Sequence, residues 1–583
     1  MKKQNETSFY RIDGAVSVRQ IIIIGVSAII SLIFGLIINY LALPAQTIHS
    51  SGLWWFWIVI GIIFTISAFI AQAICNNITC DDDKPIIGIL CGILTAVGVI
   101  AMFFTSISGW KCAHAEKYAN LIKIEEGNFE KDIPQMSNEA VIVDMKTAQR
   151  LGDRTIGTIK HASWYEADDE YDLIEVNGEY YRISSIKYND IFAYWKASSE
   201  GIPGYILVNA KTQEAKYVPL EEGMKYAPSA FFSYDLSRHL HNQHPDYMYG
   251  KSFFEIDDDG NPYWITGAGT ATIGMRGAPM ITTIVITNAI TGESEEYPIN
   301  EVPDWVDHAY GVDYMMTRIN WHYRYQEGWW NPSKTNMYRT AYYYRSKKSS
   351  DEENEFTPFD GYNSMVDSEG KIWFNSGITP ANAAETNVGF ILISPKTGQV
   401  KFYKAEGAEE SSAQGAAEGL VQNLGYSASF PNMVNVDGIA TYFMVLKDNA
   451  GLVQRYALCN VEQYAKVVQA ESIEEALKLY RQKMNLSVAE DSEVPNLGVA
   501  EHGEPLPEEY NTKMTNGVVS EVTEAQIKGY TFYYFTIEGN ESIFMSSIQN
   551  SNLQPLKLKV GTEVTVMSYT EKDVEIVTEI TIK

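Results

Sequence analysis

Cysteine is scarce in this chain, and where it is missing matters more than how often it occurs. Of the five, Cys75, Cys80, Cys91 and Cys112 lie in or beside an apolar N-terminal region, which leaves Cys459 alone in the larger polar part. That part cannot close an internal disulfide, so its stability must come from ordinary packing. Positive charge is also short: 45 Lys and Arg face 73 Asp and Glu, for a formal net charge of −28. A general binder of nucleic acid or anionic lipid needs clustered cations, and this balance argues against one. Recognisable catalytic patterns are missing as well. No Ser-His-Asp, Cys-His or paired-Glu arrangement stands out. Gly267 to Gly277, GAGTATIGMRG, has the glycines of a phosphate loop but no GKS or GKT after them. No catalytic residue, cofactor site or metal site is assigned.

Charge is wholly absent from Gln20 to Cys80, which contains no Asp, Glu, Lys or Arg. Two apolar segments lie there, Ile21 to Leu43 and Leu53 to Cys75, and a third runs from Ile86 to Ser108. Each suffices to cross a ~30 Å hydrocarbon core, which takes about 20 helical residues. The first is too long for a cleaved signal peptide and is followed at once by another. Lys2, Lys3, Arg11 and Arg19 precede the first helix, whereas the first loop has no basic residue. This asymmetry predicts a cytoplasmic N-terminus (1–20), three transmembrane helices (21–108) and everything later outside. Lys111 and Lys117, just past the third helix, pull the other way.

At 583 residues the chain exceeds a single core, so several domains are expected. Residues 109–171 read as a membrane-proximal connector: KCAHAEKYANLIKIEEG can continue the third helix, and VDMKTAQRLGD can form a short helix ending near Gly152. From Asp172 the pattern turns strand-like, with abundant tyrosine suited to half-wet sheets. LIEVNGEYYRI signals a hairpin at Asn177-Gly178, echoed by FFEIDDDGNPYWI, SMVDSEGKIWF and MVNVDGIATYFMVL. A second hairpin type follows each: GYILVNAKTQEAKYVPL, TTIVITNAITGESEEYPI, VGFILISPKTGQVKFYKA and the degenerate LVQRYALCNVEQYAKVV. Gly398 and its counterpart Gly292 sit where a tight turn favours positive φ, while Gln213 holds the equivalent place without needing glycine. Helix-prone stretches close the units, among them EVPDWVDHAYGVDYMM and SIEEALKLYRQKM. Residues 172–484 are therefore read as tandem α+β modules.

ILVNAKTQEAKY and FILISPKTGQVKFY resemble the terminal strand pair of PepSY-type domains, small extracytoplasmic modules of bacteria. More broadly, GIPGYILVNAKT, FEIDDDGNPYW, EVPDWVDHAYGVDYM and TYFMVLKDNAGLVQRYAL resemble a family of membrane-anchored bacterial envelope proteins over residues 135 to 480. That family brings no activity, substrate or catalytic residue with it. The PepSY resemblance implies restraint of peptidases or support of envelope assembly.

Residues 485–510 are acidic, carry Pro495, Pro505 and Pro507, and read as a solvated linker. Residues 511–583 supply about five strands, the pattern of a small OB-like β-barrel. Phe532, Tyr533, Tyr534 and Phe535 could stack on bases, but this stretch has no arginine and more acids than lysines. A structural or protein-binding barrel is the expectation, with no nucleic acid.

Three local clusters invite a functional reading. His239, His241 and His244 have metal-like density, yet their spacing puts no three on one helix face, so packing is preferred. Asp257, Asp258 and Asp259 before Gly260 suggest a calcium loop, but no acid closes it; a solvated turn is preferred and a weak site stays open. Trp321, Tyr323, Tyr325, Trp329 and Trp330, in NWHYRYQEGWWNP, form the candidate binding surface, able to line a groove for sugar or peptide, plug a junction or rest on the membrane interface. The expectation is a membrane-anchored, non-enzymatic extracytoplasmic scaffold binding an envelope protein or cell-wall component. A cell-wall enzyme with a dispersed site and a transmembrane regulator acting through a partner are the alternatives.

Overall fold

The structure, a computed structural model, describes residues 18–79, 84–137, 140–157, 159–342, 361–381, 386–486, 513–527, 530–540, 542–547, 558–571 and 574–582. The chain divides into two compact units, 1–488 and 489–583. Most of the expected cytoplasmic N-terminus and residues 487–510 of the expected linker lie outside the described residues.

Long runs without charge become the helices α1 (Val18–Ala42), α2 (Ser51–Thr79) and α3 (Ile86–Ile107), each long and apolar enough to span a membrane. They present Ile, Leu, Phe and Trp side chains outward, as a lipid-facing bundle does and a water-facing one does not. Close packing needs small residues at the crossings: Gly35 meets Ile60, and Gly88 meets the Phe69 ring. The third helix does not continue into the connector. The chain turns at Gly109, where a side chain would strike the backbone of Gly277. Short pieces follow, α4 (Ala115–Ala119), β1 (Ile124–Glu126), α5 (Phe129–Asp132), α6 (Met145–Ile156) and β2 (Tyr165–Ala167). Helix α6 runs through Gly152 to Ile156. The glycine is there because the Tyr171 hydroxyl lies against it, not because the helix stops.

Beyond this point the first unit is built from antiparallel sheets. Strands β3 (Asp172–Val176), β4 (Glu179–Ser184), β6 (Ile202–Asn209) and β7 (Ala215–Met224) form the first, while β5 (Ile186–Tyr188) pairs with β2. Helix α7 (Ile191–Ala197) bridges β5 to β6, and α8 (Leu236–Gln243) follows β7. The second sheet is the meander β8 (Met248–Ile256), β9 (Pro262–Ile273), β10 (Gly277–Asn288) and β11 (Ser294–Pro298), then α9 (Val312–Tyr325). In the third, β13 (Asn363–Val366), β14 (Ile372–Pro380), β15 (Thr386–Ile393) and β16 (Val400–Ala408) pair in order. Strand β12 (Tyr338–Thr340) also lies on β14, β1 runs parallel to β16, and α10 (Glu410–Leu420) follows. The fourth uses β17 (Ser427–Ala428) and β18 (Asn432–Val436) on β19 (Ile439–Lys447), then β20 (Val453–Asn460) and β21 (Val467–Ala470), closed by α11 (Ile473–Lys483).

Turn chemistry sets these registers. Asn177-Gly178 and Asp437-Gly438 take positive φ at both central residues, the geometry that matches strand twist in a two-residue hairpin. Asp257 and Asp367 instead fold their own turns: each carboxylate accepts the backbone N–H two and four residues on, and Gly260 and Gly370 take positive φ. The second hairpins share one hydrogen-bond pattern. Gln213 N donates to Asn209 O, Gly292 N to Asn288 O and Gly398 N to Ser394 O, while Thr212, Thr291 and Thr397 each accept the N–H two residues later. Gln213 does not escape the left-handed region: its φ is +64°, beside +77° at Gly292 and +71° at Gly398. The hydrogen bonds impose that conformation whatever residue is present.

The second unit is a closed five-stranded barrel of β22 (Lys513–Ile527), β23 (Tyr530–Ile537), β24 (Ile543–Ser547), β25 (Glu563–Glu571) and β26 (Val574–Ile582). Its order β22-β23-β24-β26-β25, with β24 parallel to β26, fits an OB-like barrel. Tyr533 and Phe535 point inward, Tyr534 is half-buried, and the Phe532 side chain lies outside the described residues. Two of the four aromatics are therefore committed to the core rather than to stacking.

Candidate functional site

Strand β4 ends covered on both faces, so that Arg182, Ile183 and Ser184 are all out of water, and Arg182 is one of the largest fully buried side chains among the described residues. Burial disfavours the charged guanidinium, and its pKa is lowered accordingly. Its Nε donates to Val143 O at 3.0 Å, and one η nitrogen to Tyr171 O and Ser364 Oγ, both at 3.3 Å. No acceptor among the described residues takes the other η nitrogen. Arg182 lines a cavity of about 150 Å³ where β4, the N-terminus of α6, β13 and the β17–β18 segment meet.

Asp144 and Lys447 sit on the same cavity wall. Asp144 caps α6 by accepting Thr147 N at 2.9 Å, and Lys447 Nζ donates to its other oxygen at 2.6 Å. Burial opposes ionisation of Asp144, but the Lys447 ammonium and the Thr147 contacts outweigh it and hold the carboxyl below its ordinary value. Asp144 and Lys447 cancel as a pair, and Arg182 with Lys146 makes the lining net positive. Asn363, Ser364 and Ser429 add amide and hydroxyl groups. Such a lining suits a small anion: a carboxylate can accept two parallel N–H bonds from a guanidinium. A benzene-sized group fits a cavity of this volume in other proteins. Nothing in the sequence marks the site, because its charged members stand at 144 and 146, at 182 and at 447, and these segments converge only in the fold.

A second polar cluster lies between the first, second and third sheets. Glu255 is fully buried; one oxygen accepts His308 N at 2.7 Å and His308 Nδ1 at 2.9 Å, the other Asp307 N at 2.8 Å. Burial and the Glu255 charge push Asp307 up to about 7. For His308, burial lowers the pKa, but the Glu255 hydrogen bond and three nearby carboxylates raise it on balance. His308 Nε2 is buried and meets no hydrogen-bond partner among the described residues. A His–acid pair whose far nitrogen touches no hydroxyl or thiol lacks the nucleophile of a triad. The cluster is a buried polar joint.

The five residues of the candidate binding surface do not form one surface. Tyr323 and Tyr325 are buried on α9. Tyr325 and Trp321 pack with Tyr118 near the end of α3, whereas Tyr323 joins another core and lines a groove of about 470 Å³ with His322, Tyr338 and Phe402. Trp329 stacks on Tyr325 at 5.6 Å, and Trp330 is exposed. The histidines also part company. His239 bonds Gly292 O, His241 is buried with its pKa lowered by desolvation, and His244 pairs with Glu296 at 2.7 Å. Asp257 is occupied by its own turn, and no group of three His, Cys, Asp or Glu suited to a metal occurs among the described residues.

No protein-family model and no curated protein matches this chain.

Proposed function

We propose that this is a membrane-anchored, extracytoplasmic binding or scaffolding protein of the bacterial envelope, whose ligand brings a carboxylate into the Arg182 cavity. One observation carries the reading: a buried guanidinium with an unused donor lines a polar cavity at the meeting of three sheets. Lys2, Lys3 and Arg11 before α1, with Arg19 in its first turn, favour an N-terminus in the cytoplasm and a large domain outside. The four meander sheets, each with a following helix, are read as tandem PepSY-like modules, and a carboxylate-bearing cell-wall component or protein segment as the partner.

The full chain in lipid nanodiscs is titrated calorimetrically with peptidoglycan fragments bearing free carboxylates, and with the same fragments amidated. Saturable binding of the free acids, lost on amidation and in Arg182→Met, with the fragments recovered intact, is expected. Absence of binding to both sets would overturn the ligand reading, and cleavage would move the chain to the cell-wall enzymes.

A further inference from the structure

Helix α7 is amphipathic in the wrong sense for a water-facing helix. It buries Ala193, Tyr194 and Ala197, and turns Phe192 and Trp195 outward, each 72% exposed, with Ile191 beside them. Phe232 adds a third exposed ring, 6.3 Å from Tyr194. A direct contact fixes where this patch sits: Arg238 donates to Phe232 O and to Tyr40 O, and its guanidinium lies 4.0 Å over the Tyr40 ring. Tyr40 is in the last turn of α1.

A second exposed cluster stands at the end of α3. Trp110 follows that helix directly, its N–H bonded to Ile107 O. Trp329 stacks on Tyr325, which packs on Tyr118, whose hydroxyl donates to Gly109 O at 2.8 Å. Trp330, beside it, is 82% exposed. The ends of α1 and α3 lie at one end of the bundle. The β9–β10 tip ties them, since Met275 N donates to Ser108 Oγ at 2.9 Å and its carbonyl accepts from His49, in the α1–α2 connection, at 2.7 Å. Helix α2 packs between α1 and α3, so the two aromatic clusters flank the bundle.

We propose that both clusters rest in the interfacial zone of the bilayer that the three helices cross, so that the first unit stands on the membrane on two aromatic feet. Trp and Tyr favour this zone because an apolar ring and a polar edge are satisfied there together. The outer face of α7 carries Phe192 and Trp195 beside the exposed Lys196, and, held level with a helix exit, it can bury both rings among headgroups and upper acyl chains while the ammonium stays at headgroup level. The inference is independent of which side of the membrane the unit occupies and of what fills the Arg182 cavity.

The test uses the full chain in nanodiscs of ordinary lipid and of lipid brominated high on the acyl chains. Emission of wild type minus Trp195→Phe isolates Trp195, and wild type minus Trp330→Phe isolates Trp330. Both differences are expected to be blue-shifted in ordinary lipid, insensitive to aqueous iodide, and largely lost in brominated lipid. Phe192→Trp should add emission with the same behaviour. Difference emission that survives in brominated lipid would overturn the proposal, whether iodide removes it (a ring in water) or not (a ring covered by protein). Lipid quenching at one foot alone would overturn the two-footed arrangement.

Discussion

Glu255 holds His308 twice, through the backbone N–H at 2.7 Å and through the imidazole at 2.9 Å, with both side chains out of water. The carboxylate gains its stability from these donors, and His308 gains a preference for the charged form. Asp307 next in line suffers: it is driven toward its neutral form by burial first and by Glu255 second.

Stability of the first unit should therefore depend on pH. The folded state raises Asp307 from 3.8 to about 7, so its contribution is full below 3.8 and lost as pH rises through about 7. His308 is also raised, from 6.5, so its contribution is full below 6.5 and lost above its folded pKa. Both trends run downhill with increasing pH. Thermal melts from pH 4 to 8 should show this decline, and Asp307→Asn should flatten its acidic part; an unchanged slope in the variant would exclude Asp307 as its source.

The Asp144–Lys447 pair should be costly to break and cheap to replace. Lys447→Met leaves a buried carboxylate unpaired, at a cost of ~3–5 kcal/mol. Adding Asp144→Asn removes the stranded charge, so the double variant should recover much of that loss. Denaturant melts arranged as a double-mutant cycle measure the coupling. Additive losses would mean that the 2.6 Å contact carries no coupling energy.

Turn glycines should resist substitution in a graded way. At Gly398 an added Cβ would lie 2.9 Å from the Tyr310 ring, and at Gly292 it would meet the Tyr226 ring more closely still. Left-handed strain alone amounts to ~1–3 kcal/mol, with Val worse than Ala. Because Gln213 shares the positive φ, Gln213→Val should also cost more than Gln213→Ala. Gln213→Gly should change stability by less than about 1 kcal/mol, since strain relief opposes the added freedom of the unfolded chain. Equal, small effects at Gly398 and Gly292 would contradict the turn geometry.

Residues 508–583 should fold alone, because the barrel closes on itself and forms a compact unit. A cooperative melt of that fragment is expected, with no appreciable affinity for single-stranded DNA at physiological salt. Tight, salt-sensitive binding would defeat the charge argument against nucleic acid.

By itself the sequence determined what depends on near neighbours. A run from Gln20 to Cys80 without charge has no stable state in water, so the helices were legible from hydropathy alone. Asn177-Gly178 and Asp437-Gly438 were legible because two positive-φ residues make one local hairpin. The barrel was legible as about five strands, though the alternation does not say which strand closes on which. Tertiary structure decided everything that rests on convergence. Arg182 reads in sequence as one polar residue of a strand, and only the third and fourth sheets make it the wall of a cavity. The aromatic stretch after Asn320 is conspicuous in sequence, yet α9 turns Tyr323 to one core and Tyr325 to another, a division that composition cannot encode. Helix α7 carries no sequence signal of its outward face, since Phe192 and Trp195 look like core residues until Ala193, Tyr194 and Ala197 claim the inner face. The reason is the same in each case: period and turn chemistry act over a few residues, whereas burial and charge pairing are set by segments hundreds of residues apart, as Asp144 and Lys447 are.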